Sequence, residues 1–234
     1  MISGRTKSIL EAGIREFIET GEPITSEKLY KKYDFGIKQA MIRWELHDLA
    51  EGNYFFQQHP SGGRIPSDKA YRFFVKEIVS GMERERLEEE GETEEIARYF
   101  ARGENAKFVK QLAESLGVFG LCYEQERNMV HRSGIAELFE AIEMGNREEM
   151  RALVEDLDKI SDRMEEKKIW WEEETEWPQV FIGKSPFTKS NQLSVVIRKI
   201  SKKETGNVIV MAIGPKRMDY ETSLKLFEYL NQLI

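Results

Sequence analysis

Apolar positions along the chain fall first into helical spacing. Ile9, Leu10, Ile14, Phe17 and Ile18 share one stripe, which predicts a helix over residues 5–19. Gly21, Glu22 and Pro23 end it. Thr25 and Ser26 are suited to cap a second, short helix running to residue 33, with Leu29 as its inward anchor. Asp34, Phe35 and Gly36 make a tight connection. Ile42, Leu46 and Leu49, spaced i, i+4, i+7, then predict a third helix over 38–51, which Gly52 and Asn53 stop. Residues 54–58 read as a strand. Pro60, Gly62, Gly63 and Pro66 follow within seven positions and predict a hairpin, and helical spacing returns from Asp68. Helix, helix, short turn, helix, hairpin is the order of a winged helix-turn-helix, whose third helix enters the major groove while the hairpin reaches the flanking backbone or minor groove.

The remaining pattern mixes strands and helices. Residues 83–95, ERERLEEEGETEE, form a dense charge run that reads as a solvated helix or hinge. Phe108, Leu112 and Leu116 share a helical face, followed by strands over 118–123 and 129–131. Helices over 135–142 and 148–168 are joined through Gly145 and Asn146; the second carries Met150, Leu153, Val154, Leu157, Ile160 and Met164 as its stripe. Strands over 179–182, 193–200 and 207–213 and a helix over 220–233 close the chain. Helices against a mostly antiparallel sheet predict an α+β domain of GAF-like type. The expected division is 1–76 as a winged-helix DNA-binding domain, 77–105 as a charged helical linker, and 106–234 as a GAF-like regulatory and dimerisation domain.

Charge sharpens this picture. The chain has 234 residues, enough for one large or two modest domains, and a net charge of −7. That total hides an asymmetry. Residues 1–76 hold 12 Lys and Arg against 10 Asp and Glu, or +2, which leaves 23 against 32, or −9, in the remainder. Residues 28–72 alone hold 8 against 5, or +3. A phosphate-binding surface needs local positive charge, not a positive total. One cysteine, Cys122, excludes an intrachain disulfide, and the first residues lack the long apolar stretch of a signal peptide. No apolar run is long enough to span a bilayer, so the expected location is the cytoplasm.

With Ile42, Leu46 and Leu49 turned inward, Ala40, Trp44 and His47 face outward, with Met41 and Arg43 beside them. Lys38 and Gln39 begin the same helix. The hairpin carries Arg64, and its glycines leave the backbone free of side-chain bulk for a close approach to phosphate; His59 reads as fixing the turn. Lys69 and Arg72 would extend the basic edge. The expected DNA-binding set is therefore Lys38, Gln39, Met41, Arg43, Trp44, His47, Arg64, Lys69 and Arg72. Arg43 suits either a guanine edge or a phosphate.

The run FIETGEPITS, the helix with Ile42-Arg43 and Asp48-Leu49, and GRIPSDKAYR at 63–72 together resemble the N-terminal domain of the heat-inducible transcription repressor family HrcA. The segment IGPKRMDY at 213–220 is similar to the strand-to-helix motif that closes that family's chain. The resemblance implies a repressor of chaperone genes, an inverted-repeat operator in double-stranded DNA, a homodimer, and dependence on a GroE-type chaperonin. It also implies a GAF-like domain interrupted by an inserted dimerisation domain, for which this chain is short. The insertion is expected to be reduced or missing near residues 122–127. Family members tend to carry small polar residues before the shared Ile-Arg and asparagine after it, where this chain has KQAMIRW.

Enzymatic chemistry finds little footing, and neither a cofactor nor a metal is expected. Gly183-Lys184-Ser185 lacks the glycine of a phosphate-binding loop, since Pro178 stands there. Three histidines and one cysteine give no zinc spacing. Glu172, Glu174 and Glu176 beside Trp170, Trp171 and Trp177 offer the residue types of a sugar site, but crowd one short segment. Gly214, Arg217, Met218, Asp219 and Tyr220 read as a structural turn, with Asp219 capping the last helix, Met218 or Tyr220 packed inward, and Arg217 suited to an ion pair inside the domain or across a dimer. Two other classes stay open: an effector-sensing regulator with a GAF-type pocket, and a protein-interaction module that has lost specific DNA binding.

Overall fold

Ser3 caps the first helix by accepting the Thr6 amide, and the left-handed Gly21 ends it by returning its N–H to the Phe17 carbonyl. The computed structural model describes residues 2–57, 62–82, 91–142, 147–166, 175–202 and 206–233. They divide into two units, Met1–Ile78 and Val79–Ile234. The chain is α+β, with antiparallel sheets throughout.

In the first unit α1 (Gly4–Thr20), α2 (Ser26–Lys32) and α3 (Gln39–Glu51) precede a two-stranded sheet of β1 (Phe55–Gln57) and β2 (Arg64–Pro66). Ile9, Leu10, Ile14, Leu29, Ile42, Leu46, Leu49 and Phe55 are buried together as its core residues. The periodic stripes of α1 and α3 thus provide its packing. Phe55, Phe56 and Gln57 lie opposite Pro66, Ile65 and Arg64. Beyond that hairpin, Ile24 and Arg64 exchange both backbone hydrogen bonds at 2.8 Å, so the α1–α2 loop acts as a third strand beside β2. Gly63 sits against that loop. A Cβ there would lie 2.7 Å from Pro23 Cβ and 2.8 Å from its carbonyl carbon. The glycine is required by this internal contact, a constraint separate from the phosphate approach expected of it. α4 (Asp68–Met82) follows, with Ser67 Oγ accepting the Ala70 amide.

The second unit is built on a five-stranded antiparallel sheet, order β4–β3–β7–β6–β5. Its strands are β3 (Phe119–Glu124), β4 (Met129–Ser133), β5 (Gln179–Ile182), β6 (Leu193–Lys202) and β7 (Gly206–Pro215). The three central strands are apolar on both faces, as a sheet covered on both sides requires. One face meets the core of α7 (Ile135–Ala141), α8 (Arg147–Asp158) and α9 (Ile160–Glu166), including Leu138, Leu157, Met164, Val195 and Met211. The helices α5 (Glu92–Ala101), α6 (Asn105–Leu116) and α10 (Tyr220–Gln232) pack on the other; Gly120 faces Val109, and Arg198 pairs with Glu228.

Two local features differ from expectation. Residues 92–101, assigned to a linker, form α5 and bury Ile96, Ala97 and Phe100 in this unit; the charged segment 83–90 lies outside the described residues. The single helix expected over 148–168 is two helices. The Asp156 carbonyl, which a continuous helix would offer to Ile160, accepts from Arg163 Nη1 at 3.1 Å. β3 and β4 are joined by a tight turn at 125–128, so no domain is inserted there.

Candidate nucleic-acid interface

α3 displays an outward row while its stripe holds it in the core. Lys38 is its N-cap, with no side-chain cap bond and no acidic residue in the first turn. Lys38, Ala40, Met41, Arg43, Trp44, His47 and Asp48 are exposed and Gln39 is half-buried. Trp44 is 65% exposed and Met41 45%. The Trp44 and His47 rings meet edge-on, centroids 6.4 Å apart. The orientation of α3 is fixed by a residue that sequence reasoning missed. Glu45 accepts from Arg5 Nε at 3.1 Å and from Thr6 Oγ1 at 2.8 Å, both on α1. Its signal in the sequence was slight, an acid directly after Trp44 on a helix that also carries Asp48 and Glu51.

The hairpin brings Arg64 towards Arg43. Burial first, and then the Arg43 charge, hold the Arg64 guanidinium below its ordinary pKa. Arg64 Nε is buried without a hydrogen-bond partner, and among the described residues neither arginine has a carboxylate partner. Lys69 is otherwise engaged: its ammonium donates to the Gly52 carbonyl at 2.7 Å and lies 4.2 Å above the Tyr54 ring. Arg72 is exposed on α4. His59 lies outside the described residues.

The turn at 214–220 is structural in its contacts. Asp219 caps α10, accepting from the Thr222 amide at 3.0 Å and the Thr222 hydroxyl at 2.7 Å. Met218 and Tyr220 are buried. Tyr220 Oη lies 2.7 Å from both the Lys216 carbonyl and the Ser194 hydroxyl; with one proton, it donates to the carbonyl and accepts from Ser194. Arg217 donates to the Ala141 carbonyl at 3.2 Å. Gly214 admits no larger residue comfortably, with Met218 Cβ 3.0 Å from where a Cβ would stand.

Burial pushes the Cys122 thiol up to about 12, which keeps it protonated and unreactive. Among the described residues no group of three or more His, Cys, Asp or Glu is placed to hold a metal, and no helix is long and apolar enough to cross a membrane. Of the tryptophan-acid segment, residues 170, 171, 172 and 174 lie outside the described residues, while the Glu176 carbonyl accepts from Arg198.

The family model described as HrcA protein C terminal domain matches residues 65–224, more than half of the chain. The chain belongs to the HrcA family. A heat-inducible transcription repressor HrcA from Caldanaerobacter subterraneus subsp. tengcongensis is 43% identical over 109 residues, covering 43% of this chain and 32% of that protein. Another HrcA so named, from Thermoanaerobacter sp. strain X514, is 50% identical over 78 residues, 33% of this chain and 23% of that protein. These matches therefore take in a third or less of either HrcA relative. A crystal structure of a hypothetical protein at 2.2 Å resolution superposes with a TM-score of 0.78 at 18% identity, covering 100% of this chain and 98% of that one, and so shares the fold.

Proposed function

We propose that this HrcA-family chain is a transcriptional repressor that binds an inverted-repeat operator of chaperone genes as a homodimer. In this reading the first unit is a winged helix-turn-helix, with α3 in the major groove and the β1–β2 hairpin as the wing. The second is a GAF-like regulatory and dimerisation domain. The observation that carries it is the pair Arg43 and Arg64. The Arg43 charge is felt at the partly desolvated Arg64 guanidinium, Arg43 belongs to the exposed row of α3, and among the described residues neither arginine has a carboxylate partner. Like charges so placed repel, and an anion between them turns that repulsion into charge-assisted hydrogen bonds. A DNA phosphate is such an anion, and the exposed row of α3 lies where base edges would follow. The names of the relatives support the gene-regulatory part. Dependence on a GroE-type chaperonin rests on family membership alone.

The test is selection from random duplex DNA with the full chain, followed by titration of the recovered duplex at several salt concentrations. A palindrome is expected, with affinity falling steeply as salt rises. Arg43→Ala and Arg64→Ala should each weaken binding and reduce the salt slope by about 1. Unchanged affinity in both variants overturns the proposal and leaves a protein-interaction module.

One observation favours an effector-sensing reading of the second unit. A cleft of about 480 Å³ has Leu153 and Leu193 among its lining, with Lys159 and Lys189 at its edge. Asp156 is satisfied there by the Lys189 and Ser190 amides and by Arg163, and both lysine ammonium groups lack an ion-pair partner among the described residues. Glu149 and Glu155 also line the cleft, which is therefore mixed in charge, and a shift in melting temperature on adding small zwitterions, carboxylates or phosphates to the full chain would detect a ligand.

A further inference from the structure

The outward face of α3 is unusual for a surface meant to read bases. Its exposed row, Ala40, Met41, Trp44 and His47, holds two large apolar side chains and little hydrogen-bonding capacity. Alanine and methionine donate nothing, and the indole offers one N–H. Arg43, the side chain of this face with the most donors, lies within electrostatic reach of Arg64 and is reserved for phosphate in the reading above. Within the row His47 alone can both donate and accept, and Gln39 at the helix start is half-buried, so bidentate recognition of a purine by the row itself is poorly provided for. The major groove presents one apolar feature, the C5 methyl group of thymine.

We infer that Trp44, with Met41 beside it, reads thymine methyl groups in each operator half-site. The inference rests on the DNA-binding reading above and adds what that surface recognises. Three observations on α3 support it. Trp44 is 65% exposed, so the fold leaves the indole outside its core. Among the described residues its ring partner is His47, met edge-on within the same helix. Cations also flank the apolar pair on its N-terminal side, Lys38 at the helix start and Arg43 between Met41 and Trp44, with no acid in the first turn and Asp48 exposed one turn further on. Apolar groups flanked by cations suit methyl groups lying between two phosphate strands.

Deoxyuridine provides the decisive probe, because it deletes the methyl group and leaves the O4 acceptor and base pairing intact. Each thymine of the duplex recovered by the full chain is replaced in turn, together with its symmetry mate. At one symmetric pair of positions we expect wild-type affinity to fall about four-fold per half-site, or roughly fifteen-fold for both, the value of one buried methyl group. Trp44→Ala should lower affinity for the thymine duplex and abolish the preference for thymine over deoxyuridine there. It should keep the wild-type salt slope, and it should fold normally because the side chain is exposed. Met41→Ala should reduce the preference part-way. Salt-dependent binding that depends on Arg43 and Arg64 but is indifferent to deoxyuridine everywhere overturns this inference alone. So does a preference that Trp44→Ala leaves intact. Absence of salt-dependent binding overturns the repressor reading itself.

Discussion

Thr6 Oγ1 on α1 donates to Glu45 Oε2 on α3 at 2.8 Å. A carboxylate only accepts, so the hydroxyl proton is committed to Glu45, and Ser3 Oγ, 2.6 Å away, must donate to Thr6. The cap of one helix is thereby wired to the middle of another. Glu45→Ala removes a largely buried acceptor and strands the Thr6 donor. We expect a loss of about 1–2 kcal/mol in urea unfolding of the full chain, with Glu45→Gln retaining part of it because an amide oxygen still accepts.

Gly63→Ala tests the seat of the hairpin. The new methyl group would stand 2.7 Å from Pro23 Cβ and 2.9 Å from the Ile24 carbonyl oxygen, and a proline ring and a paired backbone cannot easily withdraw. The expected cost is about 1–3 kcal/mol, read as a lower denaturation midpoint. Wild-type stability would show that the α1–α2 loop yields.

Arg198 on β6 and Glu228 on α10 form a buried ion pair, and Arg198 also donates to the Glu176 carbonyl. Removing one partner leaves a charge without compensation in the interior. Glu228→Ala should therefore cost about 3–5 kcal/mol. The double substitution Arg198→Met with Glu228→Leu should come within about 1 kcal/mol of the wild type, since both desolvation costs vanish with the attraction. Equal damage from both would show that the pair contributes shape, not charge balance.

Glu124 gives the second unit a pH dependence. Burial pushes its carboxyl up, but hydrogen bonds from Asn105 and His131, with the charges of His131 and Arg127, outweigh this and hold it below the usual carboxylate range. A folded-state value below the unfolded one means that folding favours the charged form. Its stabilisation is complete above the ordinary carboxylate value and is lost as pH falls through the depressed one. The stability difference between the wild type and Glu124→Gln, measured at about pH 5, should shrink steadily towards about pH 3. A constant difference would exclude the network as its source.

What could be read from the letters depended on whether a residue answered to its own helix or to a distant segment. The stripe Ile42, Leu46 and Leu49 is local, and α3 came out within one residue of its expected span. The turn at 219–222 is also local, and Asp219 caps as its side chain permits. Gly63 was legible as a turn glycine but not as a neighbour of Pro23, because nothing in sequence brings positions forty apart together. Lys69 likewise looked like one more surface cation until Gly52 and Tyr54 were seen beneath it. Arg163 interrupts a periodic stripe that gives no sign of the break, since its partner is the backbone of Asp156. The separation of outward from inward residues on α3 was legible; the electrostatic reach of Arg43 to Arg64 on the hairpin was not.

Because Ile24 and Arg64 trade both main-chain bonds, the base of the hairpin is clamped on two sides. Sliding that strand by a single residue would turn the guanidinium to the opposite side and sever the exchange with Ile24. Arg64 is thus indexed to the loop between the first two helices as well as to its own hairpin. Whatever anion it meets encounters a positioned group, its backbone already ordered when the domain folds.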